Sequence, residues 1–186
     1  MVELTSLWLP ILLSSVFVFL LSSVIHMALP WHKKDFPKLE RQDEIQQALR
    51  PFNIPAGEYL IPRAADRKEM MSPEYKEKME KGPMAIITVW TSAQASMSTP
   101  LILWFIYTIV IGIFAAYVSG RALPTGAHYL AVFRFAGVTT FLAYTAALWQ
   151  MSIWFKRPWS TTIKSTIDGL LYALLTAGTF GWLWPQ

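Results

Sequence analysis

Hydrophobic residues in this chain are grouped in long blocks rather than spaced at the period of a surface helix or a strand. Four blocks are long and almost free of charge, and only the last contains an acidic residue, Asp168. A helix needs about 20 apolar residues to cross the hydrocarbon layer of a bilayer. The pattern therefore predicts four transmembrane helices, at residues 4–29, 100–119, 135–155 and 167–184.

The one long polar segment, residues 30–98, separates the first apolar block from the second. A short amphipathic helix is predicted before Pro51, which ends it. A second helix is predicted from Ser72, a good N-cap residue, to Gly82, which suits the position after the last turn. Two β-like runs of this segment predict a small antiparallel ribbon, at residues 58–61 and 84–90.

These elements give an all-α membrane protein as the expected fold class, a four-transmembrane-helix bundle with an insert poor in regular α/β structure between helices 1 and 2. The expected domains are transmembrane helix 1 in residues 1–29, the insert in residues 30–98, and transmembrane helices 2–4 in residues 99–186.

Positive residues near the ends of the apolar blocks predict the orientation in the membrane. Lysine and arginine concentrate on the cytoplasmic side of membrane proteins, and here they lie mainly in the first and third loops. We therefore expect a cytoplasmic insert and two external termini. The basic residues that support this orientation are Lys33, Lys34, Lys38, Lys156, Arg157 and Lys164.

Composition narrows the possible chemistry. The chain has 54% hydrophobic residues, 15% charged residues and no cysteine, so disulfides and thiolate metal ligands are excluded. Acids and bases nearly balance in the insert, which argues against nucleic-acid binding. Sequence motifs of nucleotide-binding proteins, zinc proteases and α/β-hydrolases are absent. We expect no cofactor, and a non-enzymatic role is favoured, although an unfamiliar membrane enzyme stays open.

Small residues recur at spacing four on the last three predicted helices, which places them on one face of each helix. Small residues allow close helix packing in lipid. This packing is either internal to the bundle or, for the long seam of the last helix, made with another copy or another membrane protein. The seam residues are Gly112, Ala116 and Gly120, then Thr139, Ala143 and Ala147, and then Gly169, Ala173, Ala177 and Gly181.

Four polar residues are expected at similar depth near the inner membrane face: His26, His32, Gln150 and Asp168. Ionisable groups in membrane segments are costly and often functional. They form either interfacial structure, with Asp168 paired to Lys164, or a proton or ligand site. His26 and His32 are six residues apart, so on a continuous helix they would point in different directions and could not bind one ion. A helix break at Pro30 would bring them closer, although Trp31 would then have to turn aside, and no metal site is predicted.

Several stretches resemble a family of small bacterial inner-membrane proteins of unknown function. They are HMALPWHKKDF at residues 26–36, EKMEKGP at 77–83, VSGRALPTGAHYL at 118–130, and ALWQMSIWFKRPWSTTIKSTIDGLLYALLTAGTFGWLWP at 147–185. The resemblance implies a bacterial plasma membrane and supplies no activity or catalytic residue.

Two functions remain open from the sequence. The first is assembly in the bilayer, as an accessory or structural subunit of a membrane complex or as a homo-oligomer. The second is a small transporter or membrane enzyme that uses the polar residues at the inner face.

Overall fold

The computed structural model describes residues 1–186, apart from the side chain of Ala93. The chain divides into two units. The helical unit comprises Met1–Pro37 and Ser98–Gln186, and the insert unit comprises Lys38–Met97. The predicted insert began at residue 30, but residues 30–37 belong to the helical unit, and three of their side chains bond to its last helix.

The helical unit contains most of the regular structure. Its helices are α1 (Trp8–Ser23), α5 (Ser98–Ala122), α6 (Tyr129–Thr145), α7 (Leu148–Ile153) and α8 (Trp159–Trp182). The insert unit contains α2 (Gln42–Leu49), α3 (Arg67–Met70), α4 (Pro73–Lys81), β1 (Gly57–Ile61) and β2 (Ala85–Val89).

Three helical segments are long and apolar enough to cross a membrane: Leu4–Ala28, Ser98–Ala122 and Tyr129–Ile153. These segments match three of the four predicted transmembrane helices and are compatible with a membrane protein. Helix α8 has 24 residues but is less apolar than these three. Its buried face is the reason, since this face carries polar side chains: Thr161, Thr162, Asp168, Thr176 and Thr179.

The four long helices contact one another in a ring. Helix α1 packs against α5 and α8, and α6 packs against the same two helices. At one end, the Val2 N–H donates to the carbonyl of Gly120 at 2.8 Å, and the Gly126 N–H donates to the carbonyl of Pro185 at 2.8 Å. Both termini and the α5–α6 loop are therefore held together at that end.

The small-residue seams of α5 and α8 lie inside this ring. A Cβ atom at Gly112 would lie 3.3 Å from Ile11 Cγ2, so the α5 seam faces α1. A Cβ at Gly169 would overlap Thr145 Cγ2, and one at Gly137 would lie 3.2 Å from Ala177 Cβ, so the α8 seam faces α6. The remaining seam positions are buried or half-buried in the same contacts: Ala116, Gly120, Ala173 and Gly181.

The third seam differs from the other two. Thr139 is half-buried, while Ala143 and Ala147 are exposed. Its last two small residues therefore do not contribute to the core of the helical unit.

The insert unit has the local structures that its helix-capping residues and β-like runs predicted. The Ser72 side chain accepts a hydrogen bond from the Tyr75 N–H, and Gly82 ends α4 with a φ of 54°. Strands β1 and β2 pair antiparallel, with Tyr59 opposite Ile87. Tyr75 links α4 to the end of β1, because its hydroxyl donates to the carbonyl of Pro62 at 3.2 Å.

Candidate functional site

The α1 segment does not end as a regular helix. Its α-helical part stops at Ser23, a π-helical turn covers Val24–Ala28, and Leu29 is extended at φ −87° and ψ 147°. Proline disfavours a helical conformation in the residue before it, so Pro30 explains the extended Leu29. A 3₁₀ turn, Pro30–His32, then folds back.

This break brings together two histidines that a continuous helix would separate. The rings of His26 and His32 stack with their centroids 4.4 Å apart and their planes 20° apart. The sequence left two arrangements open, a continuous helix that separates the rings and a break at Pro30 that brings them closer. The structure has the break.

Asp168 is the anchor of the site on α8. The residue is 4% exposed. Its Oδ1 accepts a hydrogen bond from Trp31 Nε1 at 3.1 Å, and its Oδ2 lies 2.7 Å from His32 Nε2. Trp31 therefore occupies one oxygen of a buried carboxylate.

Asp35 continues the network on the other side of His32. Its Oδ2 lies 2.6 Å from His32 Nδ1, and its Oδ1 accepts a hydrogen bond from Lys164 Nζ at 2.7 Å. Burial by itself raises the pKa of the Asp35 carboxyl, but the hydrogen bonds from Lys164 and His32 outweigh it and hold that pKa below its ordinary value. Lys164 thus pairs with Asp35 and not with Asp168, which corrects the local pair predicted on α8.

We call His26, His32, Asp35, Lys164 and Asp168 the His–Asp cluster. The helical unit has three acidic side chains in all, and two of them are in this cluster. Both ring nitrogens of His32 face carboxylate oxygens, one of Asp35 and one of Asp168. Two hydrogen bonds therefore require two hydrogen atoms, carried by the imidazole or by the carboxyl groups. Each buried carboxylate of the cluster has partners, Asp35 with Lys164 and His32, and Asp168 with Trp31 and His32, which is how buried charges are tolerated.

His26 is the least constrained member of the cluster. It is exposed, and its Nε2 lies 3.4 Å from the hydroxyl of Tyr172. His26 and Asp168 both line a cavity of about 200 Å³. The other residues that line it are mostly aromatic or small: Trp104, Tyr107, Tyr144, Leu148, Ser165, Gly169 and Tyr172.

Three of the four polar residues singled out from the sequence converge. His26, His32 and Asp168 each present one ligand atom within 4.8 Å of the others, an arrangement that could hold a metal ion. Gln150 does not join them. Its side chain is exposed on α7, outside the contacts of the cluster in the described part of the chain.

Sequence reasoning missed the roles of Trp31, Asp35, Lys164 and Tyr172. A signal was present for Asp35 alone, which lies three residues after His32 in a short helical turn. The spacing of Lys164 and Asp168, four apart on one helix face, indicated a pair that does not form. The contacts of Asp35 with Lys164 and of His32 with Asp168 join residues 129 or more positions apart, and the sequence pattern did not predict them.

Comparison with known proteins adds nothing to these contacts: no family model, curated protein or solved structure matches the chain. The likeness to small bacterial inner-membrane proteins therefore stays a prediction. The chemistry of the site follows from its own geometry.

Proposed function

We propose that this is a four-span protein of the bacterial inner membrane that binds a small cation at the His–Asp cluster, as a transporter or membrane enzyme does. The insert of residues 30–98 is cytoplasmic and both termini are external. The cluster then lies at the cytoplasmic end of the helices, where it is open to a ligand from inside the cell.

Helix α8 is the fourth span in this proposal. Its polar side chains point into the protein rather than toward lipid, and polar groups buried in protein are tolerated at membrane depth. Both termini lie at the same end of the helical unit, as an even number of crossings requires. Its 24 residues would extend about 36 Å at 1.5 Å per residue, enough for a bilayer core.

Reporter fusions test this topology. An alkaline phosphatase fused after Gln186 is expected to be active, because that enzyme needs the external side, and a fluorescent protein fused there is expected to be dark. A fusion within residues 76–80 of the insert should give the opposite result. Equal activity of phosphatase at both positions would contradict the four-span topology.

An assembly role has lost its main support. The α8 seam that suggested a second copy packs against α6 of the same chain. A partner for the exposed Ala143 and Ala147 would have only two small residues to pack against. The polar site, by contrast, has gained partners, and for this reason we place the function there.

One observation carries the proposal: a buried carboxylate, Asp168, borders a cavity walled by four aromatic rings. The faces of aromatic rings attract cations, and the carboxylate supplies the matching charge. Near the Asp168 end, two histidines add nitrogen lone pairs or hydrogen-bond donors. This combination favours a small cation over an anion or an apolar ligand.

Thermal unfolding in detergent, followed through the nine tryptophans, tests cation binding. The panel is Na⁺, Mg²⁺, Zn²⁺, tetramethylammonium and spermidine. At 100 times its Kd, a bound ligand stabilises the folded state by about 2.7 kcal/mol. For a chain of this size the midpoint then rises by roughly 5–11 °C.

Asp168→Asn is expected to abolish the rise produced by the active cation, and Glu3→Gln is the matched control. Glu3 is an exposed carboxylate of the same unit at the opposite end. The proposal fails if no cation in the panel raises the wild-type midpoint. It also fails if the rise is as large in Asp168→Asn as in the wild type.

A further inference from the structure

We infer that the cation is a divalent first-row transition metal, with Zn²⁺ as the representative, bound by His26, His32 and Asp168. This inference rests on the proposed cation site and names its ligand class. It corrects the expectation from sequence that the chain has no metal site.

The ligand set selects this class of metal. Two imidazole nitrogens and one carboxylate oxygen are typical zinc ligands, whereas Ca²⁺ and Mg²⁺ prefer sets made only of oxygen. The three ligand atoms lie within 4.8 Å of one another. Metal–ligand distances near 2.0–2.2 Å place ligand atoms about 3.4 Å apart, so modest side-chain rotations complete the site.

Two of the three ligands, His32 and Asp168, also have a partner that orients them. His32 directs Nδ1 at Asp35, at 2.6 Å, which leaves Nε2 facing the metal position. Trp31 holds Oδ1 of Asp168, so Oδ2, which lies 2.7 Å from His32 Nε2, is the oxygen that binds once a metal ion displaces the hydrogen between these two atoms. Metal-bound histidines usually donate their second nitrogen to a carboxylate in this way, and such outer partners tune affinity.

Asp35 is itself held in place. Lys164 donates to its second oxygen at 2.7 Å, and Lys164 also lies 5.8 Å from the ring centre of Trp31. The chain of contacts from Lys164 through Asp35 to His32 therefore fixes one ligand ring before any metal arrives. A simple ion pair between His32 and Asp168 would not need this second carboxylate.

Metal binding releases the hydrogen between His32 Nε2 and Asp168 Oδ2 to solvent, and it also requires one ring to turn. The two imidazole rings are nearly parallel, and parallel rings do not direct their in-plane lone pairs at one point. His26 is exposed and has a single long hydrogen bond to Tyr172, so its ring is the one that turns. The His32 ring stays in place because Asp35 holds its Nδ1, while its Nε2 exchanges the contact with Asp168 for the metal ion.

Three protein ligands leave a fourth position open. Zinc sites of this composition hold water or substrate there, unlike structural sites with four protein ligands. Two of the three ligands, His26 and Asp168, line the aromatic cavity. The open position therefore faces that cavity, where a small ligand would meet the metal.

The test uses the full-length chain in mild detergent, purified without a polyhistidine tag. Zn²⁺ bound after equilibrium dialysis is measured by elemental analysis, and Co²⁺ binding is followed by its visible d–d absorption. Because the chain has no cysteine, the Co²⁺ spectrum reports nitrogen and oxygen ligands alone. The variants are His26→Gln, Asp35→Asn and, as the matched control, His128→Gln.

We expect one Zn²⁺ per chain. His26→Gln should weaken binding by at least ~100-fold, beyond the range for outer-shell partners, and Asp35→Asn by ~10–100-fold. His128→Gln should bind like the wild type, since the His128 side chain caps α6 at the other end of the helical unit. His26 is exposed, so an unchanged unfolding midpoint verifies that His26→Gln folds.

Two results overturn the inference directly: undiminished Zn²⁺ binding by His26→Gln, or displacement of Zn²⁺ by an equal concentration of Mg²⁺ or Ca²⁺. If Zn²⁺ does not bind while another cation stabilises the wild type but not Asp168→Asn, the metal inference fails and the proposed function stands. If neither Zn²⁺ nor any other cation binds, both fail.

Discussion

Replacing Asp168 by alanine is expected to lower the thermal unfolding midpoint by roughly 6–12 °C. The carboxylate accepts hydrogen bonds from Trp31 and His32, and its side chain is 5% exposed. Removing one partner of a buried ion pair costs about 3 kcal/mol or more because the remaining charge is left without compensation. Here His32 would keep Asp35 but lose Asp168, and Trp31 Nε1 would lose its buried acceptor.

Asp168→Asn separates the charge from the hydrogen bonds. The amide oxygen can still accept from Trp31, so the loss should be smaller than in Asp168→Ala. Glu3→Ala removes an exposed carboxylate of the same unit and should change the midpoint little. A drop in Asp168→Ala no larger than in Glu3→Ala would show that the network does not stabilise the helical unit.

Gly169→Ala is the second large effect, and it acts through packing. A Cβ at this position would overlap Thr145 Cγ2 and lie 3.2 Å from Tyr144 Cβ. Overpacking of this kind costs about 1–3 kcal/mol. The expected consequence is separation of α6 from α8 near the His–Asp cluster, with a lower unfolding midpoint measured in detergent.

Gly178→Ala is the matched control on the same helix. Its Cβ would meet only the Tyr129 hydroxyl, at an ordinary 3.7 Å. Both changes add the same helix propensity, so the difference between the two midpoints, roughly 2–12 °C, isolates the clash. Thr145→Ser removes the overlapping methyl group and should rescue Gly169→Ala. If Thr145→Ser does not restore the unfolding midpoint of Gly169→Ala, the overlap with the Thr145 methyl group is not the cause of the loss.

Both predictions involve α8, the helix whose surroundings were least evident from the hydropathy pattern. A face of threonines and one aspartate lowers its apolar content, yet this face is buried against the neighbouring helices. In sequence, a polar residue that faces a protein interior looks the same as one that faces water. The distinction requires knowing which helices surround it.

The sequence by itself determined the elements with local causes. The uncharged blocks are long enough to cross a bilayer, and they form the three segments that can span it. In lipid, an unpaired charge or a backbone group without a hydrogen bond costs free energy. Ser72 and Gly82 mark the ends of α4 because caps act within one turn. The antiparallel ribbon follows from two β-rich runs with prolines at their borders.

Only the tertiary structure decided the composition of the site. The proline-induced break after Ala28 stacks His26 on His32, and it carries Trp31 and Asp35 to residues of α8 more than 120 positions away. Local preference sets the break, but the partner that each side chain meets depends on how the helices pack. The sequence placed Asp168 within four residues of Lys164, and the fold paired each of them with a residue of the first loop instead.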